Sequence, residues 1–169
     1  MNSKKILFRD AVVNDIDPII RLWEMMMDEH RKNDARIRLA DGSLEAYRAY
    51  VNHQFHSKEG MVMVAQGPDN SVVAYCLAII NRNLPVFCPP YYGYLSDLFV
   101  VPGWRRKGIA TALVGQVSKW LKSQDIATIQ LQYYEFNVLG ELFWNSQGFT
   151  PYYTRMWLDL EKHPGSADN

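Results

Sequence analysis

A cluster of cations beside a glycine, Arg105-Arg106-Lys107-Gly108-Ile109-Ala110, has the clearest chemical meaning in this sequence. An apolar run over 94–101 precedes it and stops at Pro102-Gly103, and apolar residues recur at helical spacing after it. The first amides of a helix have no internal partner and carry a partial positive charge, so such a turn suits a pyrophosphate. Gly108 would let the anion approach the main chain, because no Cβ stands in the way.

Asp97 is the only carboxylate in the apolar run before this turn. Beside Leu98 and Phe99, its charge is costly to bury unless it is hydrogen-bonded, so the residue has a reason to be there. A carboxylate of this kind can act as a general base, and it can equally be a structural residue bonded to a neighbouring backbone amide. Glu135, just past the next predicted strand, is a second candidate base.

Three short patterns lie along the chain: Phe8-Arg9-Asp10-Ala11, Arg105-x-x-Gly108-x-Ala110 and Asn137-x-x-Gly140-x-x-Phe143-Trp144-x-x-x-Gly148-Phe149. The second resembles the acetyl-CoA signature of the Gcn5-related N-acetyltransferases, which also follows an apolar strand and a Val-Pro pair. The first is similar to the opening strand of that family, and the third is similar to its last helix and the turn after it. The sequence is therefore identified as a member of this family.

The resemblance implies an acyltransferase that uses acetyl-CoA to acetylate a primary amine by direct attack in a ternary complex. In the family the cofactor arm lies as an added strand against the fourth strand, where the amide of Val100 is expected to polarise the thioester carbonyl. Asp97 and Val100 are the predicted catalytic groups. No Ser/His/Asp or Cys/His arrangement is readable, so an acyl-enzyme is not predicted. The predicted cofactor contacts are Leu98, Phe99, Val100, Val101, Arg105, Arg106, Lys107, Gly108, Ile109, Ala110, Thr111, Asn137 and Trp144.

Two features of the family are missing. Some relatives carry a glutamate on the fourth strand, where this chain has Tyr94 or Ser96, and many carry a tyrosine four residues before the final Gly-Phe, where it has Trp144. An indole N–H can donate a hydrogen bond but is not a usable acid. We therefore expect Trp144 to pack over the cofactor arm and solvent to protonate the departing thiolate, so that the hydroxyls of Tyr94, Tyr133 and Tyr134 are each dispensable as an acid.

The resemblance places the acceptor beneath the first two helices, the most variable region of the family. Glu24, Asp28, His30 and Tyr94 are the predicted acceptor contacts, although each is also compatible with an ordinary solvated or packed position. Overall neutrality and a modest acidic set favour a small amine over a protein N-terminus. A CoA-binding sensor without catalysis is the alternative, and the missing glutamate is compatible with it.

Local patterns predict helices that begin near Asn14 and Ser43, a hairpin of strands over 61–66 and 72–80, strands over 5–12 and 127–134, and a closing strand over 152–160. Asn137 is predicted to cap the last helix and Gly148 to end it. The resemblance implies an α/β (α+β) fold: a central mixed, mostly antiparallel sheet of about six to seven strands flanked by about four helices, with a splayed parallel strand pair for acetyl-CoA. Residues 1–160 are predicted to form one domain and 161–169 a frayed tail.

Composition argues against several classes of protein. Lys plus Arg and Asp plus Glu are balanced at 18 each, so no overall charge draws the chain to nucleic acid or an anionic membrane. No apolar run approaches the roughly 20 residues of a membrane helix, and no signal peptide is visible after Lys4-Lys5. Two cysteines cannot make a metal framework and are expected as reduced thiols. We expect a cytoplasmic enzyme that acts on a small-molecule or peptide amine without a metal. A homodimer contact is one of several uses for the proline-rich loop over 81–92.

Overall fold

The computed structural model of the chain describes residues 6–160. These residues form two compact units, one that ends at Gln132 and one that begins at Tyr133. No helix among them is both long and apolar enough to span a bilayer. The elements in chain order are β1 (Leu7–Asp10), a 3₁₀ turn (Val13–Asp15), α1 (Ile16–Asn33), α2 (Ser43–His56), β2 (Gly60–Gln66), β3 (Val72–Arg82), β4 (Tyr91–Val100), a second 3₁₀ turn (Pro102–Trp104), α3 (Ile109–Ser123), β5 (Ile129–Leu131) and α4 (Val138–Ser146).

The first unit contains one sheet in which the five strands lie in chain order. Strands β1 to β4 pair antiparallel, and β4 pairs with β5 in parallel through the crossover that contains α3. The predicted mixed, mostly antiparallel sheet with one parallel pair is therefore confirmed. That parallel pairing is short, because only Gly93 to Leu95 of β4 match Ile129 to Leu131.

The two faces of the sheet are covered by different helices. On one face α1 and α2 supply Ile19, Trp23 and Val51 to a core that also contains Tyr75 and Phe99 of the sheet. Side chains of successive strand residues point to opposite faces, and α3 covers the second face. A Cβ on Gly93 would lie only 2.3 Å from Leu121 of α3, so a glycine is needed where this helix crosses β4.

Two predicted strands differ from the structure. The sheet has five strands rather than six to seven, because residues 151–159 contain no regular secondary structure. Aromatic and β-branched composition makes a strand only where a neighbouring edge pairs with it, and Tyr152 and Met156 remain 80% and 90% exposed. Strand β5 is also shorter than the predicted 127–134, because its pairing with β4 ends at Leu95, directly before the irregularity in β4 at Ser96. The predicted tail over 161–169 lies outside the described residues.

Candidate active site

A β-bulge in β4 builds the centre of the site. Leu77 of β3 lies opposite Asp97 and Ala78 lies opposite Leu95, so Ser96 is an extra residue without its own partner. In a regular strand Ser96 and Asp97 would point to opposite faces of the sheet. The bulge instead allows both side chains to meet tyrosines of α2.

The Asp97 carboxylate is surrounded by hydroxyl groups rather than by cations. It accepts hydrogen bonds from Tyr47 and Ser96. None of the ion pairs in the described part of the chain includes it. Burial raises the pKa of Asp97 to about 6, and the two hydrogen bonds oppose that rise. The group is therefore mostly ionised at neutral pH and able to accept a proton.

The structural alternative for Asp97 required a bond from a neighbouring backbone amide. Among the described residues no backbone amide donates to this carboxylate, and the groups that stabilise its charge are the Tyr47 and Ser96 hydroxyls. A carboxylate whose pKa is raised by burial is a candidate for a functional group.

Beyond the bulge, the main-chain N–H and C=O groups of successive β4 residues point alternately to the two edges of the strand. The Val101 amide donates to the Val73 carbonyl of β3 at 2.9 Å, so the main-chain groups of Val101 point toward β3. By alternation the N–H and C=O of Val100 and Leu98 point to the opposite edge, where β5 has already ended. Of the four predicted main-chain contacts, Leu98 and Val100 are therefore the two that face the open edge.

The turn between β4 and α3 has the backbone of an anion site. Gly108 at the N-cap of α3 has φ +75°, and Arg106 has φ +63°. A left-handed residue followed by a helical one points successive amides to the same side. In the described part of the chain the amides of 106–111 have no protein acceptor. A Cβ at Gly108 would meet no atom within 4 Å, so the space before the turn is open. These features fit a pyrophosphate.

The three cations of the turn are not equivalent. Arg105 is held by the protein: it donates to both carboxylate oxygens of Glu29 at 2.8 and 2.9 Å and to the Val100 carbonyl at 2.8 Å. Lys107 donates to the Gly103 carbonyl at 3.1 Å. Arg106 makes no side-chain hydrogen bond or ion pair among the described residues, which leaves its charge available to an anion.

The predicted acceptor contacts lie on two elements. Tyr94 lies on β4, opposite Ile79 on one side and Gln130 on the other. Glu24, Asp28 and His30 lie on α1. Asp28 is ion-paired with Arg31, and burial lowers the pKa of His30. Their contact with an acceptor stays a prediction.

The second unit bears out the local predictions for the last helix. The Asn137 side chain accepts the Gly140 amide at 2.9 Å and caps α4. Gly148, with φ +88°, ends the helix, and the Phe149 amide returns to the Trp144 carbonyl at 3.1 Å. Trp144 packs edge-on between two phenylalanines of the same unit. The cofactor contacts predicted for Asn137 and Trp144 stay predictions.

The residues that sequence reasoning missed are the partners of Asp97. Tyr47 and Tyr50 lie on the apolar side of α2 and Tyr75 lies within β3, and all three belong to the hydrophobic core or pack against it. A buried tyrosine usually finds a partner for its hydroxyl, so three tyrosines on core positions were the available signal. The partner itself could not be read, because it depends on the bulge.

The fold and the turn define a class of protein: an α/β domain in which a helix start with free amides lies beside the open edge of a short parallel strand pair. The chain belongs to the acetyltransferase (GNAT) family, whose model matches residues 20–149. The resemblance seen in the sequence is thereby confirmed. Acetyl-CoA is accordingly its acetyl donor, a role for which the free amides of 106–111 and the open edge of β4 are suited.

Solved structures share the fold at low sequence identity. A tetramutant of the BH1408 protein from Bacillus halodurans is 23% identical, with a TM-score of 0.79 over 90% of this chain and 99% of that one. A predicted acetyltransferase from Clostridium acetobutylicum, solved with acetyl-CoA, is 19% identical, with a TM-score of 0.73 over 95% and 99%. The aminoglycoside N-acetyltransferase AAC(6')-Iy, solved with CoA, is 15% identical, with a TM-score of 0.73 over 92% and 94%. No curated protein matches the chain.

Proposed function

We propose that this acetyltransferase transfers the acetyl group to a small primary amine by direct attack, with Asp97 as the general base. One observation carries the proposal: an ionisable carboxylate without a cationic partner lies on the bulge of β4, one residue before the main-chain groups of the open edge. The family fixes the acetyl donor, and this carboxylate is the group on β4 that can accept a proton.

The donor would be held by groups that the protein leaves available. The amides of 106–111 and the Arg106 guanidinium would bind its pyrophosphate. The main-chain groups of Leu98 and the amide of Val100 would hold its arm, because the Val100 carbonyl already accepts from Arg105. When bound, acetyl-CoA supplies an activated acetyl group on a thioester. The Val100 amide is our choice for donating a hydrogen bond to the acetyl carbonyl oxygen.

The amine must lose its proton during the reaction. An alkyl ammonium has a pKa of about 10.4, so only a small fraction is nucleophilic at neutral pH. As the acceptor nitrogen bonds to the carbonyl carbon and the carbon–sulfur bond breaks, the nitrogen becomes acidic and Asp97 accepts its proton. Solvent protonates the departing thiolate, because a thiol with a pKa of about 8.5 is a tolerable leaving group.

The charges near the first two helices fall into two groups. Four acidic residues there have an arginine partner: Asp17 with Arg48, Asp28 with Arg31, Glu29 with Arg105, and Asp34 with Arg36. Glu24, Asp41 and Glu45 are in none of these ion pairs, so their charges are available to a cationic acceptor. These carboxylates support an amine as the acceptor.

Acetyl transfer to a panel of amines tests the proposal. The panel should contain monoamines, polyamines, aminoglycosides, amino acids and short peptides, with the acetylated product identified by mass spectrometry. Asp97→Asn should lower kcat by roughly 10²–10⁴ and leave CoA affinity in calorimetry unchanged. Asp10→Asn is the matched control, because Asp10 is a strand carboxylate at the opposite edge of the sheet. CoA binding without turnover of any amine would favour the sensor instead.

A further inference from the structure

Two chains of hydroxyl groups converge on Asp97. In the first, the Tyr47 hydroxyl lies 3.2 Å from the Tyr75 hydroxyl and also bonds to Asp97. An ionised carboxylate only accepts, so Tyr47 donates to Asp97 and Tyr75 in turn donates to Tyr47. In the second, Tyr50 donates to Ser96 at 3.4 Å, and Ser96 donates to Asp97.

The first chain is the more firmly held. Tyr75 is completely buried in the core, so its hydroxyl has no access to solvent. The Tyr47 ring stacks on Trp23 of α1, with centroids 4.3 Å apart and planes 11° from parallel. Tyr47 is thus held by the ring of Trp23 and by the buried Tyr75 hydroxyl, whereas the Tyr50 hydroxyl bonds to Ser96 at the longer distance of 3.4 Å.

The side chains around Asp97 are all neutral, so the Asp97 carboxylate is the only charged group among them. Tyr47 and Tyr50 face it from α2, Tyr75 and Cys76 from β3, and Ser96 from its own strand. From α1, the helix contributes the Trp23 ring behind Tyr47. Burial and the charge of Asp97 raise the pKa of the Tyr47, Tyr75 and Cys76 side chains, which therefore stay protonated.

We propose that Tyr47 is a positioning residue whose hydroxyl, held by Tyr75 and Trp23, fixes the orientation of the Asp97 carboxylate and keeps it ionised. The inference rests on the proposed function, because it assigns Tyr47 a task in the proton transfer for which Asp97 is the base. A hydrogen bond to the charged form of a carboxylate favours that form, and a donor that is itself hydrogen-bonded is the stronger for it. Tyr47 therefore substitutes for the cation that Asp97 lacks.

A carboxyl ¹³C NMR titration of the free protein tests this without any turnover. Asp97→Asn assigns the resonance, and Tyr47→Phe should move its midpoint upward by about one pH unit, the value of one hydrogen bond to a charged group. Phenylalanine keeps the ring that stacks on Trp23, so packing is preserved. Tyr50→Phe is the matched control: it removes a hydroxyl from the same helix, but one bonded to Ser96, and should move the midpoint less than half as far.

Kinetics give a second readout. In Tyr47→Phe the acid limb of the pH profile of kcat/KM should move upward with the NMR midpoint, and activity should largely recover at high pH. A merely structural role would lower kcat/KM at every pH without moving that limb. If Tyr47→Phe does not fold, Tyr75→Phe replaces it, because it withdraws the donor behind Tyr47 and should raise the midpoint by a smaller amount.

The outcomes separate this inference from the proposed function. An Asp97 midpoint that is the same in wild type, Tyr47→Phe and Tyr75→Phe overturns the positioning role and leaves acetyl transfer intact. A raised midpoint in a protein that acetylates no amine supports the role of Tyr47 in the network and contradicts the proposed function.

Discussion

The Asp97 carboxylate lowers the stability of the fold at neutral pH, because burial raises its pKa to about 6. The carboxylate is partly buried and has the Tyr47 and Ser96 hydroxyls as partners. Among the described residues, no ion pair supplies a cation that would offset the cost of burial. A buried Asp15 shows the ordinary solution, because Arg9 donates to both of its oxygens. The absence of such a cation beside Asp97, among the described residues, agrees with the proposed role of this carboxylate as a base.

Asp97 should therefore make stability depend on pH. Its folded-state pKa of about 6 lies above the ordinary value near 4, so the folded state binds this proton more tightly. The cost of ionisation is absent below about pH 4, grows between about pH 4 and 6, and is complete above that range. Asp97→Asn should accordingly raise the free energy of unfolding at about pH 7.5 by some 2–3 kcal/mol more than it does at about pH 4.

Urea unfolding of wild type and Asp97→Asn at both pH values measures this difference. Any misfit of the asparagine amide affects both pH values equally and cancels. A change in unfolding free energy that is the same at the two pH values would show that Asp97 has an ordinary pKa.

At the scale of elements, the junction of β4 and α3 combines two local geometries. The bulge directs Ser96 and Asp97 toward α2, and the left-handed Gly108 directs the first amides of α3 out of the protein. Only five residues separate Val100 from Arg106, so a ligand of extended shape can contact the strand edge and the helix start together. Substitutions at the bulge and at Gly108 should therefore have different effects.

Gly108→Val should weaken CoA binding by more than about tenfold, because a branched side chain would occupy the open space before the amides and also strain a residue at φ +75°. Gly103→Ala is the matched control: a Cβ there also meets no atom within 4 Å, and its φ is not left-handed. Calorimetry on both variants measures the effect. Normal CoA affinity in Gly108→Val would remove the turn from the cofactor site.

Arg105 and Arg106 should differ although they are neighbours. Arg106→Ala should lower CoA affinity more than Arg105→Ala does, because the Arg106 charge is unpaired among the described residues. The same substitution should make CoA affinity less dependent on salt. Arg105→Ala should instead lower stability, since Arg105 joins α1 to the end of β4 through Glu29 and Val100. Glu29→Gln isolates the ion pair and should cost under about 1 kcal/mol, because both side chains are partly exposed. Equal loss of CoA affinity in the two arginine variants contradicts this division of roles.

At the scale of the whole molecule, cofactor binding and folding are linked. A ligand that binds only the folded state at about 100 times its Kd stabilises it by about 2.7 kcal/mol. In a protein of this size that corresponds to a rise in Tm of roughly 5–10 °C. CoA should produce this rise, and pantetheine, which lacks the pyrophosphate, should produce a much smaller one.

A thermal-shift series with CoA and pantetheine measures the linkage. Gly108→Val should lose most of the CoA response and Gly103→Ala should keep it. A protein whose Tm is indifferent to CoA at every concentration tested would not have the proposed cofactor site.

The sequence by itself determined the features that depend on a few neighbouring residues. The Asn137 cap, the left-handed Gly148, the hairpin of β2 and β3, and the start of α3 after Gly108 all follow from side-chain and backbone preferences over about one turn of chain. The candidate anion site belongs to this group, since the free amides of a helix start need no distant partner. The family, and with it the acetyl donor, could therefore be recognised from the chain alone.

Tertiary structure decided what depends on register and on distant partners. The bulge at Ser96 arises from the pairing of β4 with β3, and it alone determines that Asp97 meets Tyr47 of α2. Because main-chain groups alternate along a strand, only Leu98 and Val100 of the four predicted contacts point to the open edge of β4. Arg105 is ion-paired with Glu29, which lies 76 residues away in the chain. The predicted strand over 152–160 is wrong for the same physical reason: a strand is stabilised by the edge that pairs with it, and its own residues do not encode that edge.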